Sequence, residues 1–228
     1  EKFNIPAGEL EVDPQLQEEA KQAMLKVLSS GFLGSFETIR SNFFVSDKIY
    51  SLPEFQEATR RSVKLYLLEY LGLNSSDEDR EVSLRTVRSL QEKFNIPAGE
   101  LEVDPQLQEA AKKAIVSKVE RYVSSDHPSD NDLQKAMDIK RKFNIDDQSF
   151  AETSHILILD NLKSGNINNV VKIQKVFSIS DEKLLNPEYV ALTERALVLN
   201  FKKGDRDSIE KIKEKFLLSL NTTEFIKN

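Results

Sequence analysis

The chain has 228 residues, with 38 Asp and Glu against 32 Lys and Arg and a formal net charge of −6, a balance that argues against a protein coating nucleic acid through counterion-releasing cations. It has no cysteine and only two histidines, which removes disulfide frameworks, thiolate zinc sites and cysteine nucleophiles together. No apolar run approaches the roughly 18 residues that cross a bilayer, and the opening EKFNIPAGEL lacks the basic and apolar regions of a secretion signal, so the expectation is a folded cytoplasmic protein with no membrane partner.

Taken in chain order, the elements recur. Residues 1–18, EKFNIPAGELEVDPQLQE, return unchanged at 92–109. Past the copy the agreement decays: Ala20, Lys21 and Ala23 match Ala111, Lys112 and Ala114, while Met24 and Leu25 face Ile115 and Val116. A looser period runs further. Phe3, Phe43, Phe94, Phe143, Phe177 and Phe216 are spaced 40, 51, 49, 34 and 39 residues apart. Two residues after the first five stand Ile5, Val45, Ile96, Ile145 and Ile179, and seven after stand Leu10, Tyr50, Leu101, Phe150 and Leu184.

Pro14, Pro53, Pro105 and Pro187 follow ten or eleven residues behind their phenylalanines. Each reads as the first residue of a helix, where the missing N–H has no intrahelical partner anyway. Asp13, Asp104 and Asn186 precede three of them as N-caps, and Ser154 takes the capping role in the fourth unit. Counted from the proline, Leu16, Phe55, Leu107 and Tyr189 share one column, Met24, Val63, Ile115 and Leu197 another, and Leu28, Leu67, Val119 and Phe201 a third. Those offsets keep one face of a 3.6-residue helix. A column of small residues, Ala23, Ser62, Ala114 and Ala196, permits close approach of a neighbouring backbone, and Gly31, Gly72, Gly165 and Gly204 mark left-handed helix ends.

A second helix precedes each later phenylalanine. Ile39, Leu90, Ile139, Ile173 and Ile212 stand four residues before it, and Phe36, Val87, Ala136, Val170 and Ile209 seven before, a single helical stripe in all five cases. The units fall at 1–42, 43–93, 94–142, 143–176 and 177–215, with 216–228 a cap or the start of another unit. A lone helix pair cannot bury both of its stripes, so the expected fold is all-α: a single domain over 1–228, a right-handed α-solenoid of about five stacked helix-pair repeats. At roughly 9 Å per layer this would be some 45 Å long. The fourth unit, with ETSHILILDNL and no proline, is the least regular, and a bend is expected there. The perfect copy reads as recent or artificial duplication, and the abrupt start as a fragment of a larger protein.

This pattern resembles, over nearly the whole chain, the general class of helical-hairpin repeats that includes HEAT, armadillo and pentatricopeptide-like arrays. It departs from the tetratricopeptide pattern, since only one spacing is 34 and there is no Trp. The resemblance implies a binding scaffold and transfers no site residue.

Catalytic signatures are missing. His127 and His155 are isolated, the first in a polar loop and the second at an expected helix start. The glycines form neither a phosphate loop nor a dinucleotide fingerprint. Asp126, Asp130 and Asp132 crowd one loop without the glycine and terminal glutamate of a calcium loop. Asn74-Ser75-Ser76 and Asn221-Thr222-Thr223 match the glycosylation triplet by chance composition. The expectation is therefore no enzyme, no metal, no cofactor and no small-molecule substrate.

Charge carries the functional hint. The second-helix segments have a net positive charge, so the rest of the chain is more acidic than the total. Positions two and five before each phenylalanine point away from the core, and among them only the later units concentrate cations: Arg141, Lys172, Lys175 and Lys211, with Lys140 and Lys142 beside the first. These four are the expected ligand-binding residues of a non-enzymatic scaffold whose partner is a protein or peptide, an acidic one fitting the charge. A modular single-stranded RNA binder is the weaker alternative, because no aromatic or base-reading column repeats. A structural spacer is the third.

Overall fold

A computed structural model describes residues 13–72, 76–125 and 130–216. Among these residues the chain is all-α, without a strand. It divides into two compact units, Glu1–Ala111 and Lys112–Asn228.

The first unit contains α1 (Pro14–Ser29), α2 (Leu33–Asn42), a 3-10 turn (Asp47–Ser51), α3 (Pro53–Leu71) and α4 (Asp77–Phe94). Helix α1 packs on α2 and on α3, and α3 packs on α4. Helix α5 (Pro105–Ser124) runs from the first unit into the second, which continues with α6 (Asp130–Lys142), α7 (Asp147–Ser164), α8 (Ile167–Val176), the single turn α9 (Asp181–Leu184), α10 (Pro187–Lys203) and α11 (Arg206–Lys215). There α7 packs on α8 and α10, and α11 packs on α10 and α8. Within each unit a first helix thus lies beside its own second helix and beside another first helix.

The helix starts have the expected chemistry in three places. Asp13 accepts from the backbone of Gln15 at 2.8 Å, Asp104 from Gln106 at 2.9 Å, and Asn186 from Glu188 at 2.9 Å, each just ahead of its proline. The fourth start corrects the expectation. Asp146, not Ser154, caps α7, accepting from the Ser149 amide at 2.7 Å. Ser154 is buried a full two turns inside the helix, where its hydroxyl donates to the Ala151 carbonyl at 2.6 Å, and His155 is likewise mid-helix. Asp and Ser are comparable N-caps, so capping strength alone does not choose between the two starts. Counted back from the terminal glycine, Leu157 then holds the place of Ala23 and Ala196, and Leu157, Ile158 and Leu162 are buried.

Gly31, Gly165 and Gly204 adopt left-handed φ values of 84°, 77° and 71°. Gly72 does not: it is extended at φ −55°, ψ 139°, and the Arg80 guanidinium of α4 donates to its carbonyl at 2.6 Å, ending α3 with a side chain instead of a left-handed turn. The phenylalanine-led connectors share one device that composition did not reveal. The residue after each column phenylalanine, namely Phe44, Asn95, Asn144 and Ser178, has φ near 50°. The next amide then reaches back across the last helical turn, from Val45 to Arg40, Ile96 to Gln91, Ile145 to Lys140 and Ile179 to Gln174, at 2.9 to 3.0 Å. This is the Schellman closure, whose accompanying apolar residue is the Ile or Val of the sequence pattern. A side-chain link seven residues long secures three of the four: Arg40 to Asp47 at 2.6 Å, Lys140 to Asp147 at 2.8 Å and Gln174 to Asp181 at 2.6 Å. In the copied block Ala98 holds the aspartate's place, and the buried Gln91 Nε2 has no hydrogen-bond partner.

The stripes form the cores. Phe36, Phe55, Val87, Leu90 and Phe94 are fully buried in the first unit, as are Ala136, Ile139, Val170, Ile173 and Ile212 in the second. In the small column, the buried Ser62 hydroxyl donates to the Leu28 carbonyl of α1, so α3 and α1 meet closely enough for side chain to reach backbone. Two column residues depart from the expectation: Ala23 is exposed and Phe201 is 65% exposed, with no described element covering them. Phe3, Ile5, Leu10, His127, Asp126 and both glycosylation-like triplets lie wholly or partly outside the described residues.

Candidate binding groove

Helices α8 and α11 follow α7 and α10 after the left-handed turns at Gly165 and Gly204, so their first turns emerge at the same end of the second unit as the last turn of α5. These termini frame an open groove of about 820 Å³. Lys172 and Lys175 reach it from α8, Lys211 from α11 and Lys203 from the end of α10, against one carboxylate, Asp205. Three of the four sequence-selected cations are therefore together. Arg141 is not: it lies on α6, exposed, with its guanidinium 3.5 Å from Asp138 on the same helix. Lys203 was missed because only second-helix positions entered the charge comparison; the adjacent Lys202-Lys203 before Gly204 was the available signal.

The four lysines are not equivalent. The Lys172 ammonium donates to the carbonyls of Val123 at 2.7 Å and Ser125 at 3.1 Å, and is part-buried. It closes the C-terminus of α5, where orphan carbonyls and the negative helix end both favour a cation. Lys211 donates to the Asn168 side-chain oxygen at 2.6 Å, a neutral partner, and lies near the Asp205 carboxylate. Lys175 and Lys203 are exposed. Asp205 is the N-cap of α11, and hydrogen bonds from the Ser208 backbone and hydroxyl hold its carboxyl below the ordinary aspartate value, helped by the nearby Lys211 and Lys203. The floor is set by Asn200, whose amide donates to the Gly165 carbonyl at 2.8 Å. Chemically, three outward ammonium groups on three helices match carboxylates or phosphates spaced along an extended chain.

At the opposite ends of α7 and α10 a second cavity of about 620 Å³ opens, lined by Phe150, Phe177 and Tyr189 among others. Here His155 is not isolated. Its Nδ1 lies 2.6 Å from the Tyr189 hydroxyl and its Nε2 3.3 Å from the Glu188 carboxylate. Burial, followed by the Glu188 charge, pushes the Tyr189 phenol above its ordinary value. This contact joins residues 34 positions apart, so no local motif could announce it. Among the described residues no group of three or more His, Asp or Glu is placed to hold a metal ion, and no helix is long and apolar enough to cross a membrane. Compared with protein-family models, with curated proteins and with solved structures, the chain matches none of them.

Proposed function

We propose that the chain is a non-enzymatic helical-repeat scaffold, a right-handed α-solenoid of about five helix pairs, that binds an acidic protein segment along its second-helix surface. One observation carries the reading: Lys175, Lys203 and Lys211, from three different helices, converge on one groove with a single opposing carboxylate. The side-by-side packing of first helices in each unit supports the solenoid arrangement, because helix pairs with two apolar stripes bury the second one only against a neighbour. Clustered like charge is unfavourable in isolation and becomes useful when a partner neutralises it.

The test uses an acetylated hexaglutamate peptide and random single-stranded RNA, each titrated against the whole chain at low and at physiological salt. Peptide binding that weakens at least tenfold in the Lys175→Glu/Lys203→Glu double variant supports the proposal. RNA binding without peptide binding would replace it with the nucleic-acid alternative, and binding of neither would leave a spacer. Lys172 is excluded from the variant because its loss is a structural perturbation.

A further inference from the structure

We propose that the acidic partner of the lysine groove is a second copy of this chain, whose α4 presents the matching carboxylates. The inference rests on the reading of that groove as an acid-binding site and names its occupant. Charge is divided unevenly between the two units. Residues 1–111 carry 20 Asp and Glu against 12 Lys and Arg, a net of −8, whereas residues 112–228 carry 18 against 20, a net of +2. The groove with Lys175, Lys203 and Lys211 belongs to the second unit, so the complementary excess of negative charge lies on the first.

Within the first unit, the start of α4 turns that charge outward. Ser76 and Asp79 cap the helix by exchanging hydrogen bonds at 3.0 and 3.1 Å, which fixes its first turn. Asp77, Glu78 and Glu81 then share one helical face by their spacing, and all three are exposed. The one cation in this stretch, Arg80, is turned inward: it is 6% exposed and donates to the Gly72 carbonyl at 2.6 Å. The acidic face ends at Arg85, which pairs with Glu81 at 3.5 Å. Three carboxylates on one turn thus match three ammonium groups gathered from three helices, of which Lys211 and Lys203 are shared with Asp205. Each copy has a net charge of −6, yet at physiological salt repulsion between whole molecules is screened beyond about 8 Å, while apposed patches of opposite sign still attract. The groove and the α4 turn are different surfaces, so the contact is heterologous: copies add head to tail into a row or close into a ring.

Sedimentation velocity of the whole chain tests the contact. At about 0.1 M salt the sedimentation coefficient should rise with protein concentration, with a dissociation constant on the order of 100 µM because exposed ion pairs are individually weak. About 1 M salt, or excess acetylated hexaglutamate, should return the monomer. Two charge-reversed chains then locate the surfaces: Lys175→Glu/Lys203→Glu in the groove and Glu78→Lys/Glu81→Lys on α4, the second leaving the Ser76 and Asp79 cap intact. Each alone should associate at least tenfold more weakly than the parent, and an equimolar mixture should regain the parent's association, because the acidic groove of one meets the lysines of the other. The reversals take the net charge from −6 to −10 and to −2; both remain negative, so overall attraction cannot explain the recovery. A monomer at every concentration, association indifferent to salt, or a mixture no tighter than its parts would each overturn the self-contact. The salt and hexaglutamate arms use the parent chain, so they can refute it even where a variant fails to fold. A monomeric chain that still binds hexaglutamate sinks this inference alone, whereas a chain that binds neither removes the acid-binding reading as well.

Discussion

Lys172 offers the sharpest division between a residue that binds and a residue that builds. Its position, five before Phe177 on α8, placed it among the expected ligand contacts, yet its ammonium donates to two carbonyls at the end of α5, at 2.7 and 3.1 Å. Replacing it by methionine keeps the length and apolar stem and removes only the charged donor. A hydrogen bond from a charged group contributes about 1.5–3 kcal/mol, and a cation at a helix C-terminus adds roughly 0.3–1 kcal/mol. The second, longer bond and the partial exposure of the site pull the sum down, because water replaces part of what is lost. Lys172→Met should therefore lower stability by about 2–3 kcal/mol. At a urea dependence of roughly 2–3 kcal/mol/M, the unfolding midpoint followed by far-UV circular dichroism moves down by about 1 M with an unchanged slope. Lys175→Met, on the same helix and exposed, should stay within about 0.5 kcal/mol of the parent. Hydrogen exchange localises the effect, since the amides in the last turn of α5 lose protection first. If Lys172→Met is as stable as the parent and instead loses affinity for the acidic peptide, the structural role assigned to the ammonium is wrong.

Three further outcomes follow from the same geometry. Ala98→Asp should give the buried Gln91 amide the partner that Gln174 finds in Asp181, raising stability by about 1 kcal/mol; a melting temperature that falls would show that the copied connector cannot present the carboxylate. Ser62→Ala should cost about 1 kcal/mol by removing the donor to Leu28, whereas Ser62→Leu should cost about 1–3 kcal/mol by forcing α1 and α3 apart, and thermal melts showing leucine as the better tolerated would contradict the close contact. The aspartates that cap or tie helix ends make the fold acid-sensitive. Asp146 is held below its ordinary value by the Ser149 backbone and hydroxyl, Asp79 by Ser76, and Asp181 by Gln174 and Lys215. A carboxyl with a lowered folded-state pKa contributes stability above the unfolded value, about 3.9, and loses it as pH falls through the folded value. Urea midpoints should hold steady from pH 7 to 5 and drop steeply below pH 4, and Asp146→Asn, which caps without titrating, should flatten that drop.

The periodic apolar positions of this chain determined by themselves that it would be all helical, where most helices begin and end, and which residues enter the cores. Phe94, Val87, Leu90, Ile139 and Ile173 are buried because a helical stripe has only one way to leave water. Local chemistry was legible wherever partners lie within one turn, as at Asp13, Asp104 and Asn186, and it failed at α7 because two capping candidates, Asp146 and Ser154, compete and only packing of Leu157 and Ile158 chooses between them. Charge pattern could select Lys172, Lys175 and Lys211, but not sort them. Whether a lysine faces solvent or closes another helix depends on backbone groups some 49 residues away, and the pairing of His155 with Tyr189 spans 34. Such distances are set when helix pairs come side by side, so free charge, spent charge and open cavity were decided by tertiary contact alone.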